Sequence, residues 1–118
     1  NGSLYIHSSR GYTRDGRIKP DLAAPGVDVY GPGISSVPGV FPYTRMTGSS
    51  IAAAHVAGAA ACLYSWGYVK GNEPSINSRS IKAYLTLGAD RIASYRYPNP
   101  EWGYGMLNLY QSFLAMRE

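Results

Sequence analysis

Thr47-Gly48-Ser49-Ser50-Ile51-Ala52-Ala53-Ala54-His55-Val56-Ala57-Gly58-Ala59-Ala60-Ala61-Cys62-Leu63 decides how this 118-residue chain is read. The stretch opens on small polar residues and then runs apolar, with no charge until Lys70. Ala, Leu and Ile favour helix. Thr47, Ser49 and Ser50 are natural start signals, because a hydroxyl can accept a bond from an orphan N–H of the first turn. Gly67 suits a stop. The pattern predicts a helix over about 49–66. Such a helix is apolar on every side and belongs inside a protein. Its Ala and Gly residues let neighbouring backbones come close. The expectation is the buried central helix of a larger domain.

A hydroxyl at the mouth of that helix has two readings. It can serve as an N-cap, worth about 1 kcal/mol of helix stability. It can also be a nucleophile, because a helix N-terminus gathers unpaired N–H groups and the positive end of the macrodipole. An oxyanion developing on an attacked carbonyl would be stabilised there. On pattern alone the cap is the commoner role; a family resemblance favours the second reading. Gly48-Ser49-Ser50-Ile51-Ala52-Ala53-Ala54-His55-Val56-Ala57-Gly58 closely resembles the nucleophile segment of the subtilisin-like serine proteases, G-T-S-M-A-x-P-H-V-A-G. The resemblance implies that Ser50 is the nucleophile. Ser49 stands where Thr is usual, Ile51 where Met is usual and Ala54 where Pro is usual. Pro is tolerated only in a first helical turn, so Ala54 is expected to keep the helix and loosen its start.

Three further stretches carry the same resemblance in the family order. Ser8, Ser9 and Gly11 match S-S-x-G, and residues 19–27 match K-P-D-[LI]-x-A-P-G-[VT]. Gly103-Tyr104-Gly105-Met106-Leu107-Asn108 matches the G-x-G-x-[LIV]-[ND] that closes a subtilase catalytic domain. The likeness runs from about Leu4 to Phe113. It implies an α/β fold, the C-terminal portion of a three-layer subtilisin-like domain whose parallel sheet lies mostly upstream. Residues 1–118 are then expected to form a C-terminal fragment of one peptidase domain.

Composition agrees with a piece of a larger core. Charged residues make up 15% of the chain, apolar ones 45%, and Gly and Tyr are abundant. The net charge of +4 is scattered, with no basic run or nucleic-acid module, so nucleic acid is excluded as a partner. Cys62 is the only cysteine; it cannot form an internal disulfide and is expected to be a small buried hydrophobe. No paired Cys/His spacing for zinc occurs. Asn1-Gly2-Ser3-Leu4 carries no signal-peptide pattern and reads as mid-protein. Residues 46–69 are long enough to span a bilayer, but rich in Ala, Gly and Ser, which fits a core helix and no membrane.

Along the rest of the chain, Leu4-Tyr5-Ile6-His7 is a β-prone run followed by a turn-like cluster. Pro25-Gly26 is a turn, and Val27, Val29 and Tyr30 predict a short strand. Residues 31–45 should be loop or a loosely paired hairpin, and residues 41–46 are candidates to border a substrate cleft. Asn77 or Ser78 can cap a helix over 79–87, with Ile81, Leu85 and Tyr84 inward and Gly88 ending it. Residues 89–101 are irregular. Trp102 to Asn108 reads as a glycine-bracketed strand entry, and Asn108 caps a last helix with Leu109, Phe113, Leu114 and Met116 inward.

A serine nucleophile needs a base, itself oriented by a third group. His55 lies five residues past Ser50; at about 100° per residue the two diverge by roughly 140°, so His55 is a packed helix histidine and not the base. His7 lacks the family's H-G-T setting and is structural or on the surface. No D-[ST]-G motif occurs, Asp15-Gly16 and Asp21 lying in other contexts. The resemblance therefore implies that the triad Asp and His, and the oxyanion Asn, sit on upstream chain. It further implies a protein or peptide substrate, the remainder of the catalytic domain as partner, and an extracellular or cell-envelope location. No cofactor is expected in this stretch, calcium being held elsewhere in relatives. An α/β-hydrolase elbow, G-x-S-x-G, fails at Ala52. A catalytically incomplete relative, acting as a binding or regulatory module, would retain the same sequence. Upstream D-[ST]-G and H-G-T would separate the two.

Overall fold

Residues 2–118 are described by a computed structural model; Asn1 lies outside the described residues. In chain order the elements are strands β1 (Val29–Pro32) and β2 (Tyr43–Met46), then helices α1 (Ser49–Tyr64), α2 (Ser78–Leu87) and α3 (Leu109–Arg117). The two strands form an antiparallel hairpin in which Val29 pairs with Met46 and Pro32 with Tyr43. The fold is thus mixed α/β, as expected. Of the parallel sheet, the described residues contain one parallel bridge, Ala23 with Met106.

Helix α1 starts where the small polar residues predict and runs unbroken past Ala54. Gly67 does not stop it. A π-helical turn, Ser65–Val69, continues the axis, and the side-chain amide of Asn72 donates to Trp66 O at 2.9 Å. Gly67 is buried there because a Cβ would stand 2.9 Å from Met116 Cε and 3.0 Å from Ile76 Cδ1.

The core gathers at this C-terminal end. Ala59 and the fully buried Leu63 pack with Ile76, Leu85 and Met116, and Trp66 meets Phe113 edge-on at 6.1 Å. Burying a leucine to this extent contributes about 1.5–3 kcal/mol. Both later helices have the predicted caps. The Asn77 side chain accepts from Arg79 and Ser80 N–H, while Asn77 N–H donates to Ser80 Oγ. The Asn108 side chain accepts from Gln111 N–H. Leu85 is buried, with Ile81 and Tyr84 half-buried beside it; on α3, Met116 and Ser112 are buried.

The expected burial of α1 concerns the larger domain, and these residues cover only part of the helix; three other expectations need correction. Within these residues α1 buries only Ala59 and Leu63, and most of its other side chains are exposed or half-buried. Its apolar residues surround the axis, and the three-helix core covers only one flank. Cys62 consequently lies exposed and not in packing. Leu4 to His7 forms no strand; Ile6 and His7 are exposed, and the segment turns back through the Ser8 N–H to Tyr5 O bond. Trp102 to Asn108 likewise makes only isolated bridges.

Those bridges nevertheless connect the motifs. Tyr104 N–H donates to Asp21 O, Ala23 N–H to Gly105 O, Leu107 N–H to Ala23 O, and Gly11 N–H to Pro100 O, all at 2.8–2.9 Å. Gly103 sits at φ +59°, where a Cβ would stand 2.4 Å from Asp21 O, so only glycine fits. Asp21 also receives Lys19 at 2.6 Å and Lys82 at 3.2 Å. Partial burial pushes the Asp21 carboxyl up, but the hydrogen bonds from Lys19 and Lys82 outweigh it and hold the carboxyl below the usual aspartate range. Residues 19–24 are thereby a fixed base from which residues 25–28 reach the start of α1.

Candidate active site

The first turn of α1 rests on the Pro25-Gly26 turn. Gly48 N–H donates to Gly26 O at 2.8 Å, and Asp28 N–H donates to Thr47 Oγ1 at 2.8 Å. Arg45 Nη1 donates to Asp28 O at 3.3 Å and to Asp28 Oδ2 at 3.0 Å. The fit is close: a Cβ on Gly26 would meet Gly48 O at 2.8 Å and Ala52 Cβ at 3.2 Å.

Gly48 is the N-cap, and no side chain caps the helix. The cap role open to Ser49 and Ser50 is therefore not taken; they are the first two helical residues, and both are exposed. Gly48 O accepts from Ile51 N–H at 3.1 Å and from Ala52 N–H at 3.3 Å. Among the described residues the N–H groups of Ser49 and Ser50 have no backbone acceptor. Ser50 Oγ folds back toward Gly48, where a Cβ would lie 3.3 Å from it. An exposed hydroxyl thus stands beside free N–H donors at the positive end of a sixteen-residue helix. That arrangement can stabilise negative charge on an oxygen next to Ser50.

Neither histidine joins it. His55 Nδ1 bonds Ile51 O, one turn back, at 3.0 Å, so it diverges from Ser50 as its spacing predicts. It is exposed, however, and not packed. His7 lies on the surface, its ring 5.3 Å from that of Tyr5. Among the described residues, no group of three His, Cys, Asp or Glu converges as metal ligands. No helix among them is long and apolar enough to cross a membrane.

A groove of about 690 Å³ runs between the hairpin and α1. Pro25, Val29, Thr44 and Met46 form one wall, Ile51, Ala54, His55 and Gly58 the other, with Leu107 and Leu109 also lining it. Thr44 and Met46 line this groove, whereas Phe41 stands exposed in the hairpin loop. Sequence reasoning missed the helical wall. Its signal is the spacing of Ile51, Ala54, His55 and Gly58, which shares one face.

The sequence matches the family model described as the subtilase family, Peptidase S8, over residues 1–105. Pyrolysin of Pyrococcus furiosus is 32% identical over 121 aligned residues, which take in 99% of this chain and 8% of pyrolysin. Bacillopeptidase F of Bacillus subtilis is 29% identical over 121 aligned residues, covering all of this chain and 8% of that protein. The structure of the Clostridium perfringens CspB protease superposes with a TM-score of 0.80 at 38% identity, over 93% of this chain and 23% of that one. The chain therefore spans a small part of each relative it matches.

Proposed function

The chain belongs to the subtilase family, and from that premise we propose that it is the nucleophile-bearing part of a subtilisin-type serine endopeptidase. Ser50 attacks the carbonyl carbon of a peptide bond. A histidine on upstream chain accepts its proton, and an upstream aspartate orients that histidine. The same histidine then protonates the leaving amine, and water releases the acyl group from Ser50. The free N–H groups at the start of α1 steady the oxyanion of each tetrahedral intermediate. The exposed apolar flank of α1 packs against the remainder of the same catalytic domain. The substrate is a protein or peptide.

One observation carries the reading: the Ser50 hydroxyl is exposed, uncapped and placed on the second residue of α1 beside unpaired N–H donors. The test is labelling of the full-length protein with a fluorophosphonate, followed by peptide mapping. We expect one adduct, on Ser50, abolished by Ser50→Ala without a change in melting temperature. An adduct on another serine, or peptide hydrolysis that survives Ser50→Ala, overturns the assignment.

A further inference from the structure

We infer that Thr47 is a positioning residue that sets the aim of Ser50 through a latch onto Asp28; the inference rests on the assignment of Ser50 as nucleophile. The first turn of α1 has no side-chain cap, and Ser49 and Ser50 leave their hydroxyls unused for that purpose. A helix start without a cap frays unless something outside the helix holds it. Here the hold comes from residues 26–28. The Gly48 N–H bond to Gly26 O fixes the backbone at one point, and a second point is needed to stop the turn pivoting about it.

Thr47 supplies that second point. The hairpin register ends with Val29 opposite Met46, which brings Asp28 alongside Thr47, one residue beyond the last pair. Asp28 adopts φ +52°, a left-handed conformation uncommon for a residue with a side chain, though aspartate tolerates it better than most. Its N–H points at Thr47 Oγ1, 2.8 Å away. On the other side Asp28 is gripped by Arg45, whose guanidinium lies 5.6 Å above the Tyr30 ring while bonding both the carbonyl and the carboxylate of Asp28. Tyr30 is in turn stacked on Tyr43 across the hairpin. Tyr30, Arg45, Asp28 and Thr47 thus link the hairpin to the residue three before Ser50. Thr47 and Asp28 are both exposed, so the latch adds little to the core. Its consequence is orientation.

The experiment compares Thr47→Val with Thr47→Ser in the full-length protein. Valine preserves shape and removes the acceptor; serine preserves the acceptor and removes the methyl. Thr47→Val should lower kcat and the rate of fluorophosphonate labelling at Ser50 by about tenfold, the scale of a small misplacement of a reacting group. KM and melting temperature should hold, and the Asp28 amide should exchange with deuterium faster. Thr47→Ser should restore both rate and amide protection. Wild-type labelling and protection in Thr47→Val would overturn the inference. So would equal losses in both variants, or a fall in melting temperature that accounts for the lost activity. If wild type is not labelled at Ser50 while Thr47→Val alone exposes the Asp28 amide, the contact stands, but the nucleophile reading and the positioning role fall together.

Discussion

The two ends of α1 are built from the same small apolar residues and behave differently. At the C-terminal end Ala59 and Leu63 are buried, and the π turn seats Gly67 against Met116 and Ile76. At the N-terminal end Ser49, Ser50, Ala53 and Ala54 are exposed, and the backbone is held by bonds to Gly26 and Asp28. One end is anchored by side-chain packing and the other is aimed by hydrogen bonds and by the space that glycines leave. Stability and orientation are therefore separable along a single helix. If Ser50 is the nucleophile we propose, it benefits from this division, because such a group must be both fixed and open.

The sharpest way to break the comparison is Leu63→Ala. Leu63 has no exposed surface, so the truncation should cost about 2–5 kcal/mol, read as a lower urea midpoint. Under native conditions the labelling rate at Ser50 should change little. Equal losses of stability and labelling would show that the two ends act as one. A smaller effect, placed at the other end, is expected from Gly26→Ala. The new methyl would press on Gly48 O and Ala52 Cβ, at a cost of about 1–3 kcal/mol for overpacking. Its larger signature should be slowed acylation of Ser50, in the reverse of the Leu63→Ala pattern. The smallest effect concerns Asp21, whose carboxyl is half-exposed and whose ion pairs are screened by water. Asp21→Asn should cost about 1 kcal/mol or less. The folded carboxyl lies below its unfolded value of 3.8, so its contribution is complete above that value. It is lost as pH falls through the depressed folded value. Acid unfolding of wild type and variant should converge at the lowest pH and separate above about pH 4.

Much of this was legible in the residues. The start of α1, both asparagine caps, the hairpin in 31–45 and the divergence of His55 from Ser50 all follow from local rules of spacing and side-chain chemistry. What was not legible is which side of α1 is covered. A helix apolar on every face gives no periodic signal, so nothing in it says that Cys62 lies on a flank these residues leave uncovered. Leu4-Tyr5-Ile6-His7 has the composition of a strand but finds no partner edge among the described residues. The Thr47 contact was hidden for another reason. A threonine next to a helix start is read as a cap, and its bond to a backbone N–H nineteen residues earlier depends on hairpin register.

The bonds joining residues 21–23 to residues 103–107 also order events in time. A ribosome emits the 19–27 motif some eighty residues before the strand-like segment that seats it. Until residues 103–107 emerge, the base beneath Gly26 has no partner, and the first turn of α1 has nothing firm to lean on. Because long-range pairing of this kind is slow to form, the first turn of α1 should settle only once residues 103–107 have been made. In a nascent chain the start of α1 would thus stay loosely held until the last glycine pair is in place.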